Sequence, residues 1–184
     1  TRETHREETT EAPTGFMQGI RIAFNTRPFL YVTGIYLLSW LTIQIIQVNL
    51  LLYVRYWIDA EDSFTILVLI LQVTAFLFLS VWSWFSARYG KKRTYYAGAV
   101  IWMAALTAVF FIPQNTLTPM YFIVFFAGMG VSVAYLIPWS MLPDVIEYDE
   151  LETGTRHEGV FYGFFVFLQK LGISLGLAVS NFLL

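Results

Sequence analysis

The sequence predicts an all-α membrane protein with five transmembrane helices, and three observations carry that expectation. Hydrophobic residues make up 57% of the 184-residue chain, and the runs 28–54, 63–87 and 94–143 contain no Asp, Glu, Lys or Arg. A hydrocarbon core of about 30 Å takes roughly 20 apolar residues of helix, so each run is long enough to cross. None of the runs alternates polar and apolar residues at every second position, as the strands of a membrane barrel do. The basic residues, finally, sort by connection in the way that orients a multi-pass protein.

Taken in order, residues 1–15 (TRETHREETTEAPTG) are charged, threonine-rich and free of large apolar side chains. That is the composition of a disordered tail or linker, and a signal peptide would need an apolar stretch there. The next piece, FMQGIRIAFNTRP, mixes Phe16, Ile20, Ala23 and Phe24 with Arg21 and Arg27. Two readings stay open for it: a short helix lying in the headgroup layer, or plain linker. Residues 1–27 thus form a linker, and residues 28–184 form the transmembrane part, with Pro28 opening the first span. The spans are expected at about 29–55, 64–86, 95–112, 119–142 and 158–184, the longest run being divided between Pro113 and Pro119.

With five spans, residues 1–27, 86–94 and 143–157 share one side and hold nine of the eleven basic residues, whereas 56–63 and 113–118 hold none. The positive-inside bias places the first set in the cytoplasm of a multi-pass cell-membrane protein. The absence of cysteine fits a reducing compartment. Basic residues are too few for a nucleic-acid face. His5 and His157 have no companions at metal-ligand spacing, the acids after Pro143 lack the pattern of a calcium loop, and no catalytic constellation is present, so neither metal site nor enzyme is expected.

Six carboxylates crowd into 143–159. Thr155 and Glu158 stand at the spacing of a capping box, which makes Gly154 the turn and Thr155 the cap of the last span. Residues 144–152 either continue the fourth span or form a short surface helix. Within the fourth span Gly128, Gly130, Ser132 and Ala134 make a slender segment, followed by Pro138 and Pro143; prolines there create bends that suit either a gate or a static helix. At the other end the chain stops at Asn181-Phe-Leu-Leu184 with no interfacial anchor, as a piece of a larger, repeat-built membrane protein would.

Lys170 is the sharpest signal. It follows the start of the fifth span by twelve residues, or about 18 Å of helix, and so lies near mid-membrane. A cation there is a functional-site hypothesis by default. Ser174, Leu177 and Asn181 share its face, while Gly172, Gly176 and Ser180 form a small-residue stripe opposite, suited to close helix packing. No acid lies inside any span beyond Glu158 at the very start of the last, so the counter-ion of Lys170 must come from an anionic substrate or from another polypeptide segment. In the first span Tyr36, Trp40, Gln44 and Gln47 fall on one line. They read either as a ligand-binding face of aromatic planes and amides or as interhelical hydrogen-bonding groups, and Gln72 is equally ambiguous. Arg55, at a helix end, snorkels.

The run LIPWSMLPDVIEYDELETGTRHEG (136–159), then Phe161-Tyr-Gly163 and Gln169-Lys-Leu-Gly172, resembles the glycoside-pentoside-hexuronide cation symporters of the major facilitator superfamily, and Asn25-Thr-Arg-Pro-Phe29 resembles the start of their seventh helix. Tyr148-Asp149 reverses the usual Asp-Tyr order. The resemblance implies five helices of a C-terminal six-helix half, partnered in the bilayer by an N-terminal six-helix half. It also implies alternating access for a sugar or glycoside, coupled to sodium ions or protons. The coupling cation would be held mainly by carboxylates of that first half, and Lys170 matches a family lysine of the eleventh helix. Animal relatives carrying lysophospholipids with sodium resemble the Pro-Trp-Ser-Met-Leu-Pro-Asp-Val run equally, so lysophospholipid symport is the alternative. A non-transporting assembly subunit is the reading of another class.

One superfamily motif departs: Ser83 and Ala87 replace the Gly and Asp of the basic loop, although Arg88, Gly90, Lys91 and Lys92 persist. Latching of a cytoplasmic gate is then expected from Asp144, Glu147, Asp149, Glu152 and Arg156 against those basic groups, with a merely solvated connector as the competing reading.

Overall fold

A computed structural model describes residues 16–183. The tail at 1–15, with His5, lies outside the described residues. Among the described residues six helices follow one another: α1 (Phe16–Asn25), α2 (Arg27–Tyr56), α3 (Phe64–Tyr89), α4 (Lys91–Val109), α5 (Thr118–Thr153) and α6 (Glu158–Leu183), with a 3-10 turn at Glu61–Ser63. Prolines stand in the first turns of α2 and α5, where a missing N–H costs nothing. Gly90 and Gly154 end α3 and α5 at φ +87° and +72°, a region that penalises any side chain with a Cβ. The turn at Gly154 is thus as expected, and α1 is helical.

Among the described residues four helices, α2, α3, α5 and α6, are long and apolar enough to cross a membrane. The expected span at 95–112 corresponds to α4, which is not among the four. It begins four residues earlier, so Lys91, Lys92 and Arg93 occupy its first turn, and it ends at Val109 after 19 residues. The segment 144–152 continues α5 without a break, and Pro138 and Pro143 lie inside one continuous helix. The capping box does not form. Thr155 Oγ1 meets Thr153 Oγ1 and His157 Nε2, while Glu158 Oε2 accepts from Arg156 Nε at 2.9 Å. A charge-assisted bond to guanidinium outcompetes the neutral backbone N–H for that carboxylate.

The central helix is α5: over half of its most apolar stretch is buried, 56% against 17–22% in the other three long apolar helices. Its slender segment explains how. A Cβ on Gly128 would lie 2.6 Å from Leu71 O of α3, and one on Gly130 would lie 2.5 Å from Trp102 Cβ and 2.7 Å from Trp102 Cα of α4. These glycines, 200° apart on the helix, admit α3 and α4 on opposite sides, and Trp82 Nε1 adds a bond to Met129 O at 2.9 Å. Because backbone rather than a flexible side chain opposes the added methyl group, Gly130→Ala is expected to destabilise the fold by about 1–3 kcal/mol. Gly163, which faces open space, should tolerate alanine at no cost; thermal melting of the two variants checks the contrast.

Helix α6 pairs with α2 through its own small residues. A Cβ on Gly172 would sit 3.0 Å from Leu37 O, and one on Gly176 would sit 2.7 Å from Gln44 Cβ. Ser180 is buried on the same stripe. The α2–α6 pair joins α5 through an aromatic core in which Tyr36 stacks on Phe165 with centroids 4.1 Å apart, and through Ile43 against Val131 and Ala134. The ends of the bundle differ in charge. At one end Trp57 Nε1 donates to Ile112 O and Asn115 N donates to Trp57 O, joining the two connections that lack basic residues. At the other end Lys91 meets Asp144 and Thr26 meets Asp149.

Candidate functional site

Lys170 stands near the middle of the 26-residue α6, and its side chain is exposed. The phase of the helix explains this. Gly172 and Gly176 must face α2, and Lys170 lies about 160° and 120° round from them. Ser174 and Asn181 share the exposed face, and Asn181 Nδ2 donates back to Leu177 O at 2.9 Å. Lys170 makes no ion pair among the described residues, so a mid-helix ammonium is presented outward from the bundle, available to an anion.

The polar line expected on α2 does not converge on Lys170. Tyr36 is fully buried, and its hydroxyl accepts from Trp139 Nε1 at 2.7 Å. Trp40 packs edge-on to Tyr36 and tilted against Tyr135, with centroids 6.2 and 5.4 Å away. Gln44 is half-buried beside Gly176, and Gln47 is exposed. Tyr36 and Trp40 are therefore built into the α2–α5–α6 core. Between α2 and α4 lies an apolar cleft of about 630 Å³, lined by residues including Leu50, Tyr53, Leu106, Val109 and Val124. Four of its five α2 residues, Ile46, Asn49, Leu50 and Tyr53, point about 120–180° away from Leu37, which faces α6, so cleft and ammonium occupy different faces of the bundle.

At the basic end, Lys91 Nζ lies 2.6 Å from Asp144 Oδ2 and 2.6 Å from Ser140 O. This ties the α3–α4 turn to α5 beside Pro143, whose missing N–H leaves the neighbouring Trp139 carbonyl without its usual helical donor. Arg88, Gly90 and Lys92 are exposed, as are Glu147 and Glu152. Arg156 does not reach the basic turn: it bonds Glu158 and, at 3.2 Å, Glu150. The hydrogen bond that Arg156 donates to Glu158 and the charge of that carboxylate, with Glu150 adding to them, hold the guanidinium above its ordinary range.

The most enclosed ionisable pair was not foreseen from the sequence. Asp149, 3% exposed, accepts from His157 Nδ1 at 2.8 Å, with Thr26 Oγ1 at 3.5 Å from its other oxygen. Three segments thereby meet: the end of α5, the start of α6 and the α1–α2 junction. The signal present in the sequence was a histidine eight residues after an acid across a glycine turn, which carries meaning only once the turn folds the chain back.

The family model described as MFS/sugar transport protein matches residues 1–184. An uncharacterized symporter of Synechocystis is 45% identical over 163 residues, covering 88% of this chain and 30% of the relative. The human sodium-dependent lysophosphatidylcholine symporter 1 is 31% identical over 184 residues, covering 98% of this chain and 34% of the relative. A sphingosine-1-phosphate transporter of Xenopus tropicalis is 30% identical over 168 residues, covering 90% and 32%. The chain spans about a third of the length of these relatives. A bundle of long apolar helices packed through glycine stripes and a match along the whole sequence agree, and the chain belongs to the MFS/sugar transport protein family.

Proposed function

We propose that this chain forms part of a sodium-coupled symporter for single-chain phospholipids of the lysophosphatidylcholine type, working by alternating access, in which Lys170 receives the substrate phosphate. The observation that carries the reading is the ammonium held half-way along α6 on a face that no other described helix covers. A cation at that depth is costly unless an anion visits it. Lysophosphatidylcholine and sphingosine 1-phosphate, named in the relatives, each bring one phosphate and one long chain; a neutral sugar brings no anion. The sugar or glycoside expected first is favoured less, because Tyr36 and Trp40, which would have lined its polar cavity, pack against Trp139, Phe165 and Tyr135.

In this reading the coupling cation is bound outside this chain, since none of the charge-free runs supplies a carboxylate at membrane depth. The basic end faces the cytoplasm, and the Lys91–Asp144 tie beside Pro143 is a contact that a rocking motion would break and remake. Such a half-exposed pair is individually weak, as a reversible latch requires. The test is uptake by the full-length protein in proteoliposomes under an inward sodium gradient, with lysophosphatidylcholine recovered after albumin extraction and melibiose as the sugar. Sodium-dependent accumulation of the lysolipid without melibiose uptake is expected; melibiose uptake, or lysolipid accumulation indifferent to sodium, would overturn the reading.

A further inference from the structure

We propose that α1 and the first turn of α2 form a binding surface for anionic phospholipid headgroups of the leaflet at the basic end. Helix α1 turns one face to the bundle: Ala23 is fully buried, and a Cβ on Gly19 would touch Val160 of α6 at 3.5 Å. The face turned away carries Met17, Arg21 and Phe24 at spacings of four and three. Beyond the extended Thr26, the exposed surface continues in sequence through Arg27 and Tyr31 where α2 begins. Large apolar and guanidinium side chains alternate along it, and the three apolar ones are 77%, 54% and 72% exposed.

Three features fix the occupant as lipid. Only Thr26 separates α1 from α2, and α2 is long and apolar enough to cross a membrane, so the stripe lies at the level where that span leaves the hydrocarbon. At that depth Met17, Phe24 and Tyr31 enter the tops of the acyl chains while the guanidinium groups stay among phosphates, the arrangement of an interfacial helix. No acid occurs in sequence between Ala12 and Ile58; the acid that comes near in space, Asp149 beside Thr26, is buried and engaged by His157, and neither Arg21 nor Arg27 makes an ion pair among the described residues. The planar five-donor fork of arginine matches a phosphodiester bidentately, and an anionic headgroup supplies the compensating charge. A protein partner on this surface would instead have to interleave acids with apolar pockets at the same spacing.

The inference does not depend on the transported substrate. Full-length protein is purified from nanodiscs holding equal phosphatidylcholine and phosphatidylglycerol, and the lipids retained after partial delipidation are counted by native mass spectrometry. Wild type is expected to retain phosphatidylglycerol several-fold over phosphatidylcholine, with the preference falling as salt rises. Arg21→Gln with Arg27→Gln is expected to cut that enrichment about threefold or more, while Arg21→Lys with Arg27→Lys keeps most of it. Equal enrichment in the glutamine variant and wild type would overturn the proposal, assigning the stripe to protein or to water; so would a wild type without preference. Loss of enrichment in the lysine variant as complete as in the glutamine variant would overturn the charge-based account as well.

Discussion

Lys170→Ala in the full-length protein is expected to reduce sodium-driven lysophosphatidylcholine uptake about 10- to 100-fold, the loss of one charge-assisted hydrogen bond of about 1.5–3 kcal/mol. The packing of α6 makes this a clean substitution. That helix meets α2 at Gly172 and Gly176 and through Phe161 and Phe165, whereas the Lys170 side chain is exposed. Protein yield and melting temperature should therefore stay at wild-type values while uptake falls. Lys170→Arg keeps the charge at a similar reach and should retain a measurable part of the activity. Unchanged uptake by the alanine variant would remove this residue from the mechanism.

His157→Ala should produce the largest loss of stability. The substitution leaves Asp149 buried at 3% exposure with only the 3.5 Å Thr26 hydroxyl near it. Removing the hydrogen-bond partner of an enclosed acceptor costs about 1–3 kcal/mol, and more for a carboxylate, chiefly through the group left unsatisfied. His157→Ala with Asp149→Ala removes both partners and should melt above the single histidine variant, the non-additivity that marks a coupled pair. A double variant that melts at the sum of the two single losses would show that the groups act independently. Because α1, α5 and α6 converge at this pair, the destabilisation should appear first as protease sensitivity near the Gly154 turn.

The membrane character of the chain and its main helices were legible because a charge-free run longer than the bilayer has few other physical explanations. The packing stripes were legible too: the spacing of Gly172 and Gly176 fixes one face of α6, and the structure lays that face on Leu37 and Gln44. Helix phase, however, does not reveal which neighbour a face meets. Tyr36, Trp40 and Gln44 share a line, yet that line turns partly into the core and partly onto the glycine side of α6, away from Lys170.

Charged positions near helix ends were the least readable. The sequence pattern puts the three cations of α4's first turn in a loop, because basic residues at the membrane boundary fit a helix start and a connection equally well. Sequence assigns Asp149 to a gate latch or a solvated connector, whereas Val145, Ile146 and Asp149 form the buried side of α5's last turns, with Glu147 and Glu152 outside. Likewise the Thr155–Glu158 spacing satisfied a capping pattern that Arg156, one residue from each of His157 and Thr155, disrupts by drawing off the carboxylate.

The measurement that bears most directly on the role of Lys170 is equilibrium binding of two ligands with the same acyl chain, lysophosphatidylcholine and monoacylglycerol, to full-length wild type and to Lys170→Met in detergent. If the ammonium meets the phosphate, the substitution weakens lysophosphatidylcholine binding about tenfold or more and leaves monoacylglycerol binding unchanged, since that ligand lacks the phosphate. Equal weakening of both ligands, or of neither, would contradict it.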